Sequence, residues 1–548
     1  MIRETVLGLI EKLKSLQKED GRFEGLLSSN TYPTCSFAVI EMMRGEAMDE
    51  GIAGWLIERQ LPDGMWPLDT SNRGDEEATA LVRTVISAAL KRGDDPRLRD
   101  ALRRSPDIRP SLFHVKLMGA LCGELGWGEV LPGRALRTAV KLLSLLPRPI
   151  RSKLKPPLST IPPPELFRTP IFDDLFIAEQ HTLVPILLIA ELKSRGRTKL
   201  AEELLSWLLE RRLPDGSWFR VNFITALSVM ALMTCREEGI PGLERPIEEG
   251  IAWLEGTRNP DGGFREAINL NVWDTALSVC SLLEAGVSAD DPSIKRACEW
   301  LISVQNGDGG WPFSGVDFPG LPSDADDTAL SALALIRAGY GGSEAVSKGV
   351  RWLIEHQRPD GGWGTYVPGA GDVGCVSITA HAAEALKEAG RIEEMERALD
   401  WLEKNADPDG SWDDLWLARR TYGTACAVAA LVKCGRRGSP AVEKGIEWLK
   451  SVQNPDGGWG EDMSGGRTAS TIEQTAWSVY ALILAEGGIS EEARKGLEFL
   501  KRRWETGDWR PSPVGIYWEV IGGYEDPIYA FVFPIMAFAA AHQHGIHR

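Results

Sequence analysis

The sequence predicts an all-α protein assembled from repeated helix pairs, on three observations. The first is a turn of the form Gln/Arg-x-Pro-Asp-Gly-x-Trp that recurs along the chain. It closes on Phe23, Trp66, Trp218, Phe264, Trp311, Trp363, Trp412, Trp459 and, in degenerate form, Trp509. The second is the period: from Trp218 onward the intervals are 46, 47, 52, 49, 47 and 50 residues, room for two helices and a connection. The third is what lies between turns. Apolar runs such as 275–283 alternate with Glu/Lys/Arg-rich amphipathic runs such as 443–450. A helix apolar on all sides belongs to an inner layer, and one with a charged face to an outer layer.

In the turns, proline suits the first corner position and Asp-Gly the next. The aromatic residue can then stack back over a helix end. The turn tryptophans are therefore read as fasteners and not as active-site aromatics. The interval from Trp66 to Trp218 is 152 residues, about three periods, with no recognisable turn. Within that gap, residues 130–164 carry Arg134, Arg137, Lys141, Arg148, Arg151, Lys153 and Lys155 and no acidic residue. It closes on Pro162-Pro163-Pro164, which rules out regular helix there.

Composition narrows the function. A chain of 548 residues is long enough for two or three domains. A net charge of −17 argues against nucleic acid as a partner, since phosphates would be repelled. The eight cysteines form no CxxC pair and read as reduced core thiols. The N-terminal residues are charged, without an apolar export segment, and no run of about 18 apolar residues is present. A cytoplasmic location is expected.

The chemistry concentrates at Asp324-Ala325-Asp326-Asp327, which opens an apolar helical run. Three carboxyls at one helix start resist joint ionisation, so at least one should hold a proton near neutral pH. By itself the pattern is equally an N-terminal helix cap with two solvated neighbours. A metal centre has little support. Asp173-Asp174 begins a DDxxD-like string but position 177 is isoleucine, and no Asp-x-Cys with a distant histidine suggests zinc. His114, His181 and His356 have no comparable neighbours in sequence.

The turns and the acidic triplet together resemble one family, the class II terpene cyclases related to the squalene-hopene cyclases. The resemblance runs in order along nearly the whole chain. Trp273-Asp274-Thr275-Ala276 is similar to a VWDTA segment, 324–329 to the DxDDTA motif and Thr379-Ala380-His381 to VTAH. Residues 467–477 resemble STASQTAW, and Phe533-Pro534 with Met536-Ala537 an FPxxALGRY stretch. The resemblance implies two α/α barrels of the α6-α6 type (the βγ architecture). An N-terminal barrel is expected over 16–265 and a C-terminal, catalytic barrel over 266–548, with residues 1–15 packed on the latter. It implies Asp326 as the proton donor, flanked by Asp324 and Asp327 and hydrogen-bonded by His381. Trp273, Asp274, Ser377, Tyr422, Trp518 and Tyr529 are expected to line the substrate cavity.

Departures from the family pattern suggest the substrate. Ser377 stands where hopene cyclases carry a further aspartate. Ala178, Gly522 and Asp526 stand where they carry aromatic residues. Fewer aromatic faces suit a shorter cation cascade. Arg419 and Arg420 replace neutral residues of an NYLYGT segment, so they are candidates to hold a diphosphate; the alternative is pairing with Asp413 or Asp414. The expected reaction is protonation-initiated cyclisation of a linear C15 or C20 prenyl diphosphate, with Mg²⁺ as a possible companion of the diphosphate. One rival is a squalene or polyprene cyclase at a membrane surface, with the basic, leucine-rich segment 134–155 on anionic lipid. Another is a non-catalytic prenyl-binding toroid, against which Asp326 and His381 argue.

Overall fold

The computed structural model describes residues 2–147, 159–315, 320–366, 373–518 and 522–545. The chain divides into two compact units. One comprises Met1–Leu27, Asn269–Pro368 and Asp372–Arg548, and the other is built on Ser28–Ile268.

The first unit has six inner helices: Asn271–Glu284, Ala325–Leu335, Val376–Glu388, Arg419–Lys433, Ile472–Glu486 and Tyr529–Gln543. Each packs on the next and the last packs on the first, so the ring closes. Six outer helices back them: Pro292–Ser303, Glu344–His356, Ile392–Lys404, Pro440–Ser451 and Glu491–Glu505, with Ile2–Ser15 on the last inner helix. The division of labour follows side-chain pattern. Ala325–Leu335 is buried at every position, whereas Pro440–Ser451 buries only Val442, Gly445 and Leu449. The second unit repeats the plan with inner helices Thr31–Met43, Glu76–Leu90, Phe113–Leu121, Ile177–Arg195 and Asn222–Glu237 among the described residues. Strands are confined to short two-stranded ribbons.

One device fastens both rings. The backbone amide of each turn tryptophan donates to a threonine hydroxyl one helix onward: Trp66 to Thr79, Trp218 to Thr225, Trp311 to Thr328, Trp363 to Thr379, Trp412 to Thr424 and Trp459 to Thr475, all at 2.9–3.0 Å. Each indole Nε1–H donates backward to a leucine carbonyl ten residues earlier, as Trp459 does to Leu449 at 2.7 Å. Thus each turn joins the outer helix before it to the inner helix after it. The ring itself lies over the next outer helix, where a Cβ on Gly349 would stand 2.6 Å from Trp311. In the turn, Gly361 has φ +101°, and a side chain there would meet the Arg397 carbonyl at 2.4 Å.

The two phenylalanine turns explain the threading. Phe23 N–H donates to Thr275 Oγ1 (2.9 Å), so the turn at 17–23 serves the first inner helix of the unit built on 269–548. Phe264 N–H donates to Thr34 Oγ1 (3.0 Å) and so closes the other unit on itself. Residues 16–27 therefore belong with the C-terminal unit, where the sequence reading had assigned them to the N-terminal one. Trp509 departs from the pattern, since its Nε1–H donates forward to Ala530 O at 2.9 Å.

Of the segment 134–155, the part beyond residue 147 lies outside the described residues. The remainder includes the helix Arg134–Leu143, with Leu142 and Leu145 exposed. Among the described residues no helix is long and apolar enough to cross a membrane.

The fasteners yield a stability test. Trp459→Ala should cost about 3–5 kcal/mol through its cavity. Thr475→Val, nearly isosteric, should cost about 1–3 kcal/mol by orphaning the buried Trp459 amide. Trp509→Ala should cost less than either, and denaturation midpoints measured in parallel give the ranking.

Candidate active site

The inner helices of the C-terminal unit share an internal register set by the fastening threonine. Residues two before and two after it are four apart, hence on one helix face. These pairs are Trp273/Leu277, Asp326/Leu330, Ser377/His381, Tyr422/Cys426 and Glu473/Trp477, and Tyr529/Phe533 have the same spacing on the sixth helix. The threonine bonds bring the pairs to one level.

The carboxyl triplet sits where one turn grips a helix start. Asp324 N–H donates to Trp311 O (2.9 Å), while Trp311 N–H donates to Thr328. Asp324 is the N-cap of Ala325–Leu335, and its Oδ1 accepts Asp327 N–H at 2.8 Å. The next turn grips the histidine helix in the same way, with Cys375 N–H on Trp363 O (2.8 Å) and Trp363 N–H on Thr379. Two adjacent helices pinned alike bring His381 Nδ1 to 2.7 Å from Asp326 Oδ1. With a carboxyl oxygen as its partner, Nδ1 carries the proton and donates.

Electrostatics separate the three aspartates. All are buried. Burial, then the Asp324 charge and hydrogen bond, hold the Asp327 carboxyl well above the ordinary range. Burial raises Asp324 to about 8, although the Asp327 amide opposes it. Those two are engaged with each other. Asp326 is raised by burial and pulled back by the charge and hydrogen bond of His381. Burial alone would lower His381; Asp326 outweighs it and holds the imidazolium well above its usual range. Asp326 is thus a carboxyl inclined to keep its proton yet backed by a cation that favours releasing it. The cap reading of the triplet is correct for Asp324, but the neighbours are not solvated.

Around this pair lies an aromatic face. The Trp273 ring is 5.9 Å from His381. Tyr422 contacts Trp477 at 4.7 Å, Trp477 meets Phe533 at 5.3 Å, and Phe533 meets Tyr529 at 5.7 Å. The indole Nε1–H groups of Trp273 and Trp477 have no hydrogen-bond partner. Such rings offer faces to a cation with few competing polar groups.

The remaining expected site residues fall in distinct places. Asp274 accepts Gly25 N–H at 2.9 Å and faces Asp526. Burial, then the Asp526 charge, hold Asp274 well above the carboxylate range, and burial raises Asp526 to about 6. Ser377 is fully buried, and its amide donates to Asp414 Oδ1 at 3.0 Å. Tyr529 OH lies 3.3 Å from Tyr524 OH. The side chain of Trp518 lies outside the described residues. Arg419 bonds Asp413 Oδ1 through Nε (2.9 Å) and the Met463 carbonyl through Nη1 (3.2 Å). Arg420 reaches Asp409 (3.4 Å) and Asp407 (3.8 Å). Both arginines are thus already paired with carboxylates, as the alternative reading of their sequence context had it, though Arg420 pairs with Asp407 and Asp409 instead of Asp413 or Asp414. Trp477, Phe533, Cys426 and Asp414 are not among the expected site residues, although Trp477 and Phe533 lie in family-like segments and Asp414 was weighed only as an arginine partner. The first three occupy register positions that His381 and Tyr529 already marked, whereas Asp414 comes from a loop and carries no such signal. Among the described residues no group of three or more His, Cys, Asp or Glu side chains is arranged to hold a metal.

The chain matches the family described as "Squalene-hopene cyclase C-terminal domain" over residues 270–371 and 369–543, half of its length. Squalene–hopene cyclase of Alicyclobacillus acidocaldarius is 29% identical over 96% of this chain and 95% of its own. Sporulenol synthase of Bacillus subtilis is 29% identical over 54% of this chain and 52% of its own. In structure, ent-copalyl diphosphate synthase from Streptomyces platensis superposes with a TM-score of 0.60 at 21% identity, covering 99% of both chains, a likeness of fold.

The Asp326–His381 pair makes a prediction independent of substrate. By ¹⁵N NMR, His381 should remain protonated through neutral pH in the wild type. In Asp326→Asn it should titrate below the usual value of about 6.5, because burial persists and the counter-charge is gone. An unchanged titration would contradict the coupling.

Proposed function

This chain belongs to the squalene-hopene cyclase family of class II terpene cyclases, which are enzymes, and on that premise we propose its reaction: protonation-initiated cyclisation of a linear isoprenoid by Asp326. The observation that carries the proposal is the 2.7 Å contact of His381 with Asp326, the aspartate of the triplet whose carboxyl is bonded to the adjacent helix. Carbon is a poor base, so the donor needs a retained proton and a partner that stabilises the anion left behind. His381 holds Oδ1, and the proton leaves from the carboxyl to the terminal double bond. The resulting cation is attacked by the next double bond, and ring closure repeats. Trp273, Tyr422, Trp477, Phe533 and Tyr529 stabilise the moving charge by about 0.5–2 kcal/mol each. Loss of a proton to a base ends the cascade.

The lead substrate is a C15 or C20 prenyl diphosphate, its head group retained in the product. Gly522 and Asp526, in place of aromatic residues, support a short cascade. The enzyme from Streptomyces platensis that matches end to end has a diphosphate in its name, which agrees with this reading without carrying it. Mg²⁺ enters only as a companion of the diphosphate, since among the described residues no group of three or more His, Cys, Asp or Glu is arranged to hold it. The second reading, a neutral polyprene such as squalene, is favoured by Arg419 and Arg420 being already paired. The whole-length likeness to a squalene–hopene cyclase agrees with it.

Incubation with C15 and C20 diphosphates and squalene, with products identified after phosphatase treatment, tests both. Asp326→Asn should fold normally and lose about 10²–10⁴-fold or more in turnover; wild-type-like turnover would sink the proposal. If the arginines exchange their carboxylates for a diphosphate, Arg419→Gln with Arg420→Gln should raise KM by about tenfold or more per arginine. Squalene turnover that survives that change, with no reaction of diphosphates, would select the second reading.

A further inference from the structure

Position 377 lacks the aspartate that the family pattern carries, yet a buried carboxyl group stands beside it from another element. Asp414, in the loop before Arg419–Lys433, is fully buried. Its Oδ1 accepts Ser377 N–H (3.0 Å) and Cys375 Sγ–H (3.3 Å), and its Oδ2 accepts the amides of Trp416 (3.0 Å) and Leu417 (3.3 Å). Its two oxygens thus take four donors. No cation is among these partners: three are backbone amides and one is the Cys375 thiol. Cys375, the N-cap of Val376–Glu388, makes no side-chain cap bond of its own. Asp414 therefore caps that helix from outside, one turn below His381 on the same face.

We propose that Asp414 is a positioning residue for the acid: it fixes the helix that carries His381 and supplies, from a neighbouring turn, the negative charge that position 377 does not. This rests on Asp326 being the acid.

The groups facing the Asp326–His381 pair sort as follows. On the acid's own helix, Asp324 and Asp327 are engaged with each other. On the histidine helix, Glu384 is neutralised by Lys433 (2.8 Å) and Arg337 (3.2 Å). Helix Arg419–Lys433 presents Tyr422 and Cys426, whose Sγ is 4.0 Å from His381 Nε2. Helix Asn271–Glu284 presents Trp273, with Asp274 paired to Asp526 behind it. That leaves Asp414, whose charge also works to raise Asp326.

The sign is definite. An anion nearby disfavours ionisation of Asp326 and favours the His381 imidazolium, so removing it lowers both pKa values. Asp414→Asn should move the alkaline limb of the cyclisation pH profile down by about one pH unit, with KM little changed. The His381 ¹⁵N titration should fall in parallel. Adding Ser377→Asp to Asp414→Asn should restore both. A folded Asp414→Asn with an unmoved limb and titration overturns the proposal, even if its rate is lower. Failure of both the single and the double variant to fold would make Asp414 a cap only, and also overturns it. If the single variant alone fails to fold, the double variant decides, a wild-type limb supporting the proposal and a lowered one overturning it. Asp326→Asn in the same assay separates the premise: if that variant stays active, the acid assignment fails, whereas an inactive Asp326→Asn beside an unmoved limb removes only the role of Asp414.

Discussion

The hydrogen bond from a turn tryptophan amide to a threonine hydroxyl on the next inner helix is the contact on which the rest of the molecule depends. It is short, buried and repeated, and each instance couples an outer helix, a turn and an inner helix. A buried amide without an acceptor costs about 1–3 kcal/mol, so the threonine is held to its register. That register decides which side chains on each inner helix meet. Thr275, Thr328, Thr379, Thr424 and Thr475 each stand within a stretch that looks functional in sequence, and each is bonded to a turn backbone. The candidate site residues Trp273, Asp326, His381, Tyr422 and Trp477 lie two positions to one side or the other of these threonines.

The same constraint builds the carboxyl cluster. Gripping Asp324 by its own backbone amide and Thr328 by its hydroxyl forces three carboxyls into a dry helix start. Desolvation then raises all three, and geometry distributes them. Asp324 and Asp327 are hydrogen-bonded to one another, and the third carboxyl meets a partner on the adjacent helix. His381 arrives because an equivalent grip sets its own helix. A buried charge pair of this kind is a weak contributor to stability, which agrees with the chemical role proposed for it.

A second polar cluster lies at the other ends of the same helices. Glu384 binds Lys433 and Arg337, and these cations hold it at about 2 against the effect of burial. Tyr480 donates to Glu284 at 2.5 Å, and Gln543 donates to the Glu284 carbonyl. Arg337 and Lys433 stand where helix C-termini favour positive charge. Glu384, Lys433 and Arg337 thus tie inner helices together away from the carboxyl triplet.

Turn sequence and apolar periodicity determined the helix pairs, their order and the inner and outer roles, because these depend on local propensity and on which faces must be buried. The acidic triplet was also legible as a carboxyl cluster at a helix start, and His381 through the resemblance of residues 379–381 to a family segment. What tertiary structure alone decided involves partners far apart in the chain. Residues 17–23 serve a helix that starts at 271, which no local pattern encodes. Arg419 and Arg420 suggested an anion site by type, but the loop folds Asp413, Asp407 and Asp409 against them. Ser377 suggested a missing carboxylate, while Asp414 fills that role from another turn. Charge acts through space, so the residue that meets a need at one position can come from any element the packing brings beside it.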